Sequence, residues 1–149
     1  MTSVKRLSTI AAVGVAAAAS AALVVASPAT ANAATMPCSR AARACVDLSR
    51  QEAWLAHNGK VTFGPVKVRT GRPSFPTAPG TFRVSYKDRN HVSSVYHAAM
   101  PYSVFFNGGD AFHEGSLAVS SHGCVHLTRS AAVKFFNSLG VGDVVQVVR

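Results

Sequence analysis

Phe112-His113-Glu114-Gly115 and, five residues on, Ser121-His122-Gly123-Cys124-Val125-His126-Leu127 form the most chemically loaded stretch of this chain. Three of its six histidines and one of its three cysteines fall within these 15 or so residues. A thiol becomes a nucleophile when its proton is removed, and a nearby imidazole accepts that proton or lowers the thiol pKa. Attack on a carbonyl also requires N–H donors for the oxyanion. Gly123 permits a tight turn that aims successive amides at one point. His113, eleven residues before Cys124, can approach the thiol from a neighbouring strand. Two other uses of the same residues compete. Cys124 can be a buried small hydrophobe with the histidines on the surface. Alternatively, Cys124, His113, His122 and His126 can surround a metal, but their spacings of two do not match common zinc ligand spacings and the chain has no Cys-x-x-Cys. Neither a metal nor another cofactor is therefore expected.

The cysteine count sharpens the choice. Cys38 and Cys45 are seven apart and can close a small loop in an oxidising compartment. That leaves Cys124 unpaired, as packing or as a reactive thiol. Such a compartment is what the first residues imply. Lys5 and Arg6 precede an apolar stretch over 10–26, and Ala31-Asn32-Ala33 has the form of an A-x-A cleavage box. Residues 1–33 are thus expected to be a cleaved secretion signal, leaving a domain over 34–149 that is secreted, associated with a cell wall and free of a stable membrane span.

The 149 residues suit one modest domain. An apolar fraction of 48% with 14% charged residues argues against a disordered chain. The formal charge is +9; without residues 1–33 it is +7, from thirteen cations and six acids. A cationic exported domain is drawn to anionic partners, and anionic wall polymers are the expected ones. Nucleic acid is not expected, because the cations are scattered and Trp54 is the only tryptophan.

The rest of the chain reads as mostly β with one helix. Residues 44–48 and 52–56 have strand character, and Asn58-Gly59 is a strong hairpin signal. Alternation continues over 60–63 and 65–69; three prolines and two glycines make 71–80 a loop; 81–86 alternates again. Residues 102–106 suit a buried strand, followed by a turn at Asn107-Gly108-Gly109-Asp110. Ala132, Phe135, Phe136 and Leu139 fall at i, i+3, i+4 and i+7, with Thr128 or Ser130 as a cap and Gly140 at the end. A last strand spans 144–148.

The run His113 … Ser121-His122-Gly123-Cys124-Val125-His126 resembles the mark of the L,D-transpeptidase catalytic domain of the YkuD type. Pro76-Thr77-Ala78-Pro79-Gly80-Thr81-Phe82, the strand and turn over 66–71, and Met100-Pro101-Tyr102 resemble other parts of that family. The likeness extends over about 44–149. It implies a β-sandwich-like domain with a helix beside it, acting on peptidoglycan stem peptides. A Cys thiolate attacks the diamino acid carbonyl, expels the terminal D-Ala, and the resulting thioester passes to an amine. On this resemblance Cys124 is the nucleophile and His113 the general base. The backbone carbonyl of Glu114 orients His113, the amides of Gly123 and Cys124 bind the oxyanion, and His122 shapes the site. Tyr102, Ser121 and His126 are expected on the substrate side. Water in place of the amine makes the reaction an L,D-carboxypeptidase one, and a catalytically weak wall-binding module is the other class that a basic surface permits. Two departures stand out. The His113–Cys124 interval is short for the family, and His126 occupies a position where Asn or Arg is usual.

Overall fold

The computed structural model describes residues 35–149. The expected signal over 1–33 lies outside the described residues. Among the described residues no helix is long and apolar enough to cross a membrane.

Strand formation starts from short apolar runs. β1 (Ala44–Asp47) and β2 (Glu52–His57) pair antiparallel, with Ala44 opposite Leu55 and Cys45 opposite Trp54. Asp47 closes the turn between them. Burial alone would raise its pKa, but hydrogen bonds from Ser49 Oγ, the Arg50 amide and Arg50 Nε outweigh it and hold the carboxyl at about 2. The Asn58-Gly59 hairpin forms as expected, both residues being left-handed (φ 51° and 79°), and leads into β3 (Lys60–Lys67). β4 (Gly80–Arg83) and the last strand, β9 (Val144–Val148), complete a five-stranded sheet in the order β3-β2-β1-β9-β4, in which β1 and β9 run parallel. The second sheet has the order β5-β6-β7-β8, from β5 (Tyr86–Val92), β6 (Ala99–Asn107), β7 (Asp110–Glu114) and β8 (Val125–Leu127).

The main core lies between these sheets and α1 (Arg129–Ser138). Val46, Leu55 and Val145 from the first sheet meet Val104, Phe112 and Leu127 from the second and Phe135 and Leu139 near the helix end. Phe135 joins the layers: its ring lies 5.0 Å from Phe112 of β7 and 6.4 Å from Phe63 of β3. Thr128 caps the helix by accepting from the Ala131 amide. The end differs from expectation. Leu139 is extended, and Gly140 is not a left-handed cap; its amide donates to Asp143 Oδ2.

The outer face of the first sheet is covered around Cys45 and Trp54. Cys45 and Trp54 point away from the main core yet are fully buried. Residues 35–40 lie against Trp54, tied down by the Cys38–Cys45 disulfide. The Arg50 guanidinium lies over the Trp54 ring and donates to the Thr35 carbonyl.

One expected strand is divided. Residues 81–85 alternate in burial, but β4 ends at Arg83 and β5 begins at Tyr86 in the other sheet. The transfer is visible in the hydrogen bonds: the Val84 amide donates to Asp143 and the next amide, Ser85, to Phe105. Alternation survives a change of sheet because it depends on backbone pleat and not on the partner strand.

Two stability measurements test this account. Phe135→Ala removes a fully buried ring shared by three layers and is expected to cost about 3–5 kcal/mol in urea denaturation; a cost below about 1 kcal/mol would contradict the placement. Reducing the Cys38–Cys45 bond reopens an eight-residue loop and is expected to cost about 2.5 kcal/mol, with no change in midpoint as the opposing result.

Candidate active site

β7 and β8 lie side by side and parallel, with Phe112 opposite Val125, His113 opposite His126 and Glu114 opposite Leu127. Alternation along two such strands sorts the side chains by face. Phe112, Val125 and Leu127 enter the main core, and Ala111, His113, Cys124 and His126 take the other face. The short His113–Cys124 interval still brings both residues to one cavity, because His113 lies on β7 and Cys124 immediately precedes β8.

His113 is buried. Its Nδ1 donates to the Glu114 carbonyl at 2.7 Å, which leaves Nε2 as the bare nitrogen of the neutral ring. Burial lowers its pKa to about 4, and the nearby His126 and His91 add to this against the pull of the Glu114 carbonyl. The His126 ring stands edge-on at 4.9 Å, with its own Nδ1 donating to the Ser116 carbonyl. Gly115 is required there, since the His126 ring fills the space that a Cβ would take.

Cys124 is the free cysteine among the described residues. It packs against Met100, Phe105 and Ala111, and its thiol donates to the Gly109 carbonyl. Burial pushes its pKa up to about 11; the Ala111 amide partly offsets this, and the Asp110 carboxylate adds to it. The resting pair is thus a neutral thiol and a neutral imidazole.

The turn before Cys124 is built from side chains. Ser121 Oγ donates to the Cys124 carbonyl and accepts from the Gly123 amide at 3.1 Å. The Gly123 carbonyl accepts from Thr77 Oγ1 at 2.7 Å, and that same oxygen accepts from the Gly71 amide. Gly123 has φ 122°, and Asp110 Oδ1 stands where its Cβ would be. Glycine is needed on both counts.

Cys124 and His113 share a cavity of about 530 Å³ with Glu114, Ser121, His122 and His126. Val95, Tyr96, Ala98, Ala99, Met100 and Val119 form its apolar wall. His122 is exposed, stacked on Tyr96 at 4.3 Å and tilted against Phe75 at 5.3 Å, so it helps to build a rim.

Three expected placements need correction. The Gly123 amide is already held by Ser121, so it is not a free oxyanion donor in this arrangement. Ser121 borders the cavity but is buried, with its hydroxyl committed to the turn. Tyr102 is not on the cavity; it packs on the main core side against Phe136, with the Arg89 and Arg129 guanidiniums over its ring. Its left-handed backbone (φ 59°) interrupts the alternation of β6, so Val104 faces the main core while Met100 joins Phe105 near Cys124. Thr77, Asp110 and Tyr96 were not singled out as site residues from the sequence. Thr77 sits inside the proline-rich loop and Asp110 inside a glycine turn, where a turn role accounts for either residue type.

A family model described as the L,D-transpeptidase catalytic domain (YkuD) matches residues 41–147. The chain belongs to the L,D-transpeptidase catalytic domain family. Solved structures agree. An L,D-transpeptidase from Stackebrandtia nassauensis is 37% identical, with a TM-score of 0.68, over 71% of this chain and 54% of that one. L,D-transpeptidase 1 from Mycobacterium tuberculosis is 27% identical, with a TM-score of 0.65, over 71% of this chain and 60% of that one. This chain thus spans a little over half the length of those proteins. The comparison with curated proteins finds no match.

In this member of the L,D-transpeptidase family, a neutral resting pair has a kinetic consequence. Alkylation of Cys124 by iodoacetamide is expected to rise with pH beyond pH 9, because the thiolate fraction near neutrality is about a hundredfold below that of a thiol titrating at 9.0. A rate that levels off below pH 8 would indicate a resting thiolate–imidazolium pair instead.

Proposed function

We propose that this chain is a secreted peptidoglycan L,D-transpeptidase that works through a Cys124 thioester. The observation that carries the reading is the pinned tautomer of His113: with Nδ1–H held by the Glu114 carbonyl, Nε2 is the nitrogen left to exchange a proton within the cavity that holds Cys124. Membership of the L,D-transpeptidase family supports the substrate class.

The chemistry follows from the resting charges. A neutral thiol attacks poorly, so its proton passes to His113 Nε2 as Sγ closes on the stem-peptide carbonyl. Charge separation then arises only with substrate in place, where it is matched by the oxyanion. The Cys124 amide is the donor proposed for that oxyanion, and the Ser121–Gly123 bond holds the turn that aims it. Collapse breaks the C–N bond, and the proton on Nε2 leaves with the D-Ala amine. An amine from a second stem resolves the thioester and makes the cross-link. His126 and the Tyr96–His122 rim flank the donor peptide.

The proposed wall association rests on charge. Lys87 and Arg89 lie over the Phe136 ring, and Arg89 and Arg129 over Tyr102, which gathers three cations on one face. That face suits an anionic polymer.

Incubation of the 34–149 domain with a purified disaccharide-tetrapeptide, followed by mass spectrometry, tests the function. Loss of D-Ala with formation of a dimer is expected, and Cys124→Ala should abolish both. His113→Ala should slow turnover by about 10²–10⁴-fold, the usual contribution of a general base. D-Ala release without dimer would mean a carboxypeptidase. No release, with Cys124 also unreactive toward a thiol probe, would overturn the reading.

A further inference from the structure

The charge lining the Cys124 cavity is opposite to that of the chain. The full sequence has 15 Lys and Arg against 6 acids, yet the cavity is lined by Asp110 and Glu114 and by no Lys or Arg among the described residues. The two acids differ. Glu114 Oε2 is paired with Arg129 Nη1 at 3.0 Å. Asp110 has no cationic partner among the described residues; Asn107 Nδ2 donates to its Oδ2 at 3.1 Å, and its Oδ1 lies against Gly123, next to the nucleophile. Asp110 therefore holds the unmatched charge of the site.

That charge works against the nucleophile. It disfavours the Cys124 thiolate, and by the same sign it disfavours an oxyanion beside Gly123. Burial also pushes the Asp110 carboxyl itself up. A carboxylate that costs the enzyme at its own nucleophile is accounted for when a cation enters during the reaction. An alkylammonium supplies one: it pairs with Asp110 and removes its field from the sulfur.

We propose that Asp110 is the ammonium-binding residue of this cavity and selects acceptors that carry a free alkylamine. The inference rests on the transpeptidase reading and names the group that recognises the second substrate. The acceptor arrives as an ammonium and pairs with Asp110 beside the thioester. It releases one proton to solvent and becomes the amine. The amine nitrogen attacks the thioester carbonyl; the C–N bond forms, the C–S bond breaks, and the second N–H proton passes through His113 Nε2 to the leaving sulfur. Water has no charge for Asp110 to hold and is therefore the poorer acceptor.

The test compares wild type and Asp110→Asn, both checked by thermal melting, with a tetrapeptide donor and two acceptors at pH 7.5. One acceptor is an alkylamine, cationic in solution; the other is methoxyamine, which is neutral. Asp110→Asn is expected to lower the ratio of alkylamine transfer to hydrolysis at least tenfold, while the ratio of methoxyamine transfer to hydrolysis changes less than twofold. Equal effects on both acceptors, or none on either, overturn the proposal. In wild type alone, added salt should raise the KM for the alkylamine and leave that for methoxyamine unchanged; this arm decides the matter if the variant does not fold, and a KM insensitive to salt counts against Asp110. Should wild type release no D-Ala at all, the transpeptidase reading fails first. The iodoacetamide rate then decides whether Asp110 faces the sulfur: a severalfold increase in Asp110→Asn supports the placement, and an unchanged rate contradicts it.

Discussion

The parallel pairing of β7 with β8 is the constraint on which the rest depends. Phe112 opposite Val125 sets one register, and that register places three core side chains on one face and His113 with Cys124 on the other. A shift by one residue would send His113 into the core and Phe112 into the cavity. The core therefore guards the active-site geometry. Burial of Phe112 against Phe106 and Phe135 opposes any slip that would move His113 away from Cys124.

Around that pairing the protein keeps polar groups fixed and charge low. The Glu114 carbonyl holds His113, and Ser116 holds His126. Ser121 and Thr77 hold the turn at Gly123. None of these contacts requires an ionised group. Burial favours the neutral thiol and the neutral imidazole, and the proposed reaction separates charge between them only with substrate in place. Asp110 is the exception, and its place beside Gly123 gives the acidic side of the cavity a role in choosing the acceptor.

Much of this was legible in the residues. Asn58-Gly59 requires two left-handed positions and so marks a hairpin, the 132–139 spacing is long enough to identify a helix, and the valine-rich run over 144–148 suits a strand. β5 was not legible, because Tyr86–Val92 is an edge strand whose side chains are largely polar. β8 has only three residues, too few for a period to emerge. At the site, a thiol, an imidazole and a glycine turn have a joint use, which singles out Cys124 and His113, and the structure brings the two into one cavity. Two substrate-side expectations changed for tertiary reasons: Ser121 borders the cavity but its hydroxyl is claimed by the turn it sits in, and Tyr102 is carried to the helix side by a left-handed backbone that residue type does not disclose. Asp110 was hidden for the converse reason, because its turn position already accounts for an Asp.

The central claim is that Cys124 carries the acyl group. Rapid quench of the 34–149 domain with a tetrapeptide donor and no amine acceptor, followed by intact-protein and peptide mass spectrometry, tests it most directly. A mass increase equal to the donor less D-Ala, located on Cys124 and labile to hydroxylamine, is the predicted result. Release of D-Ala at full rate with Cys124 unmodified throughout would contradict it.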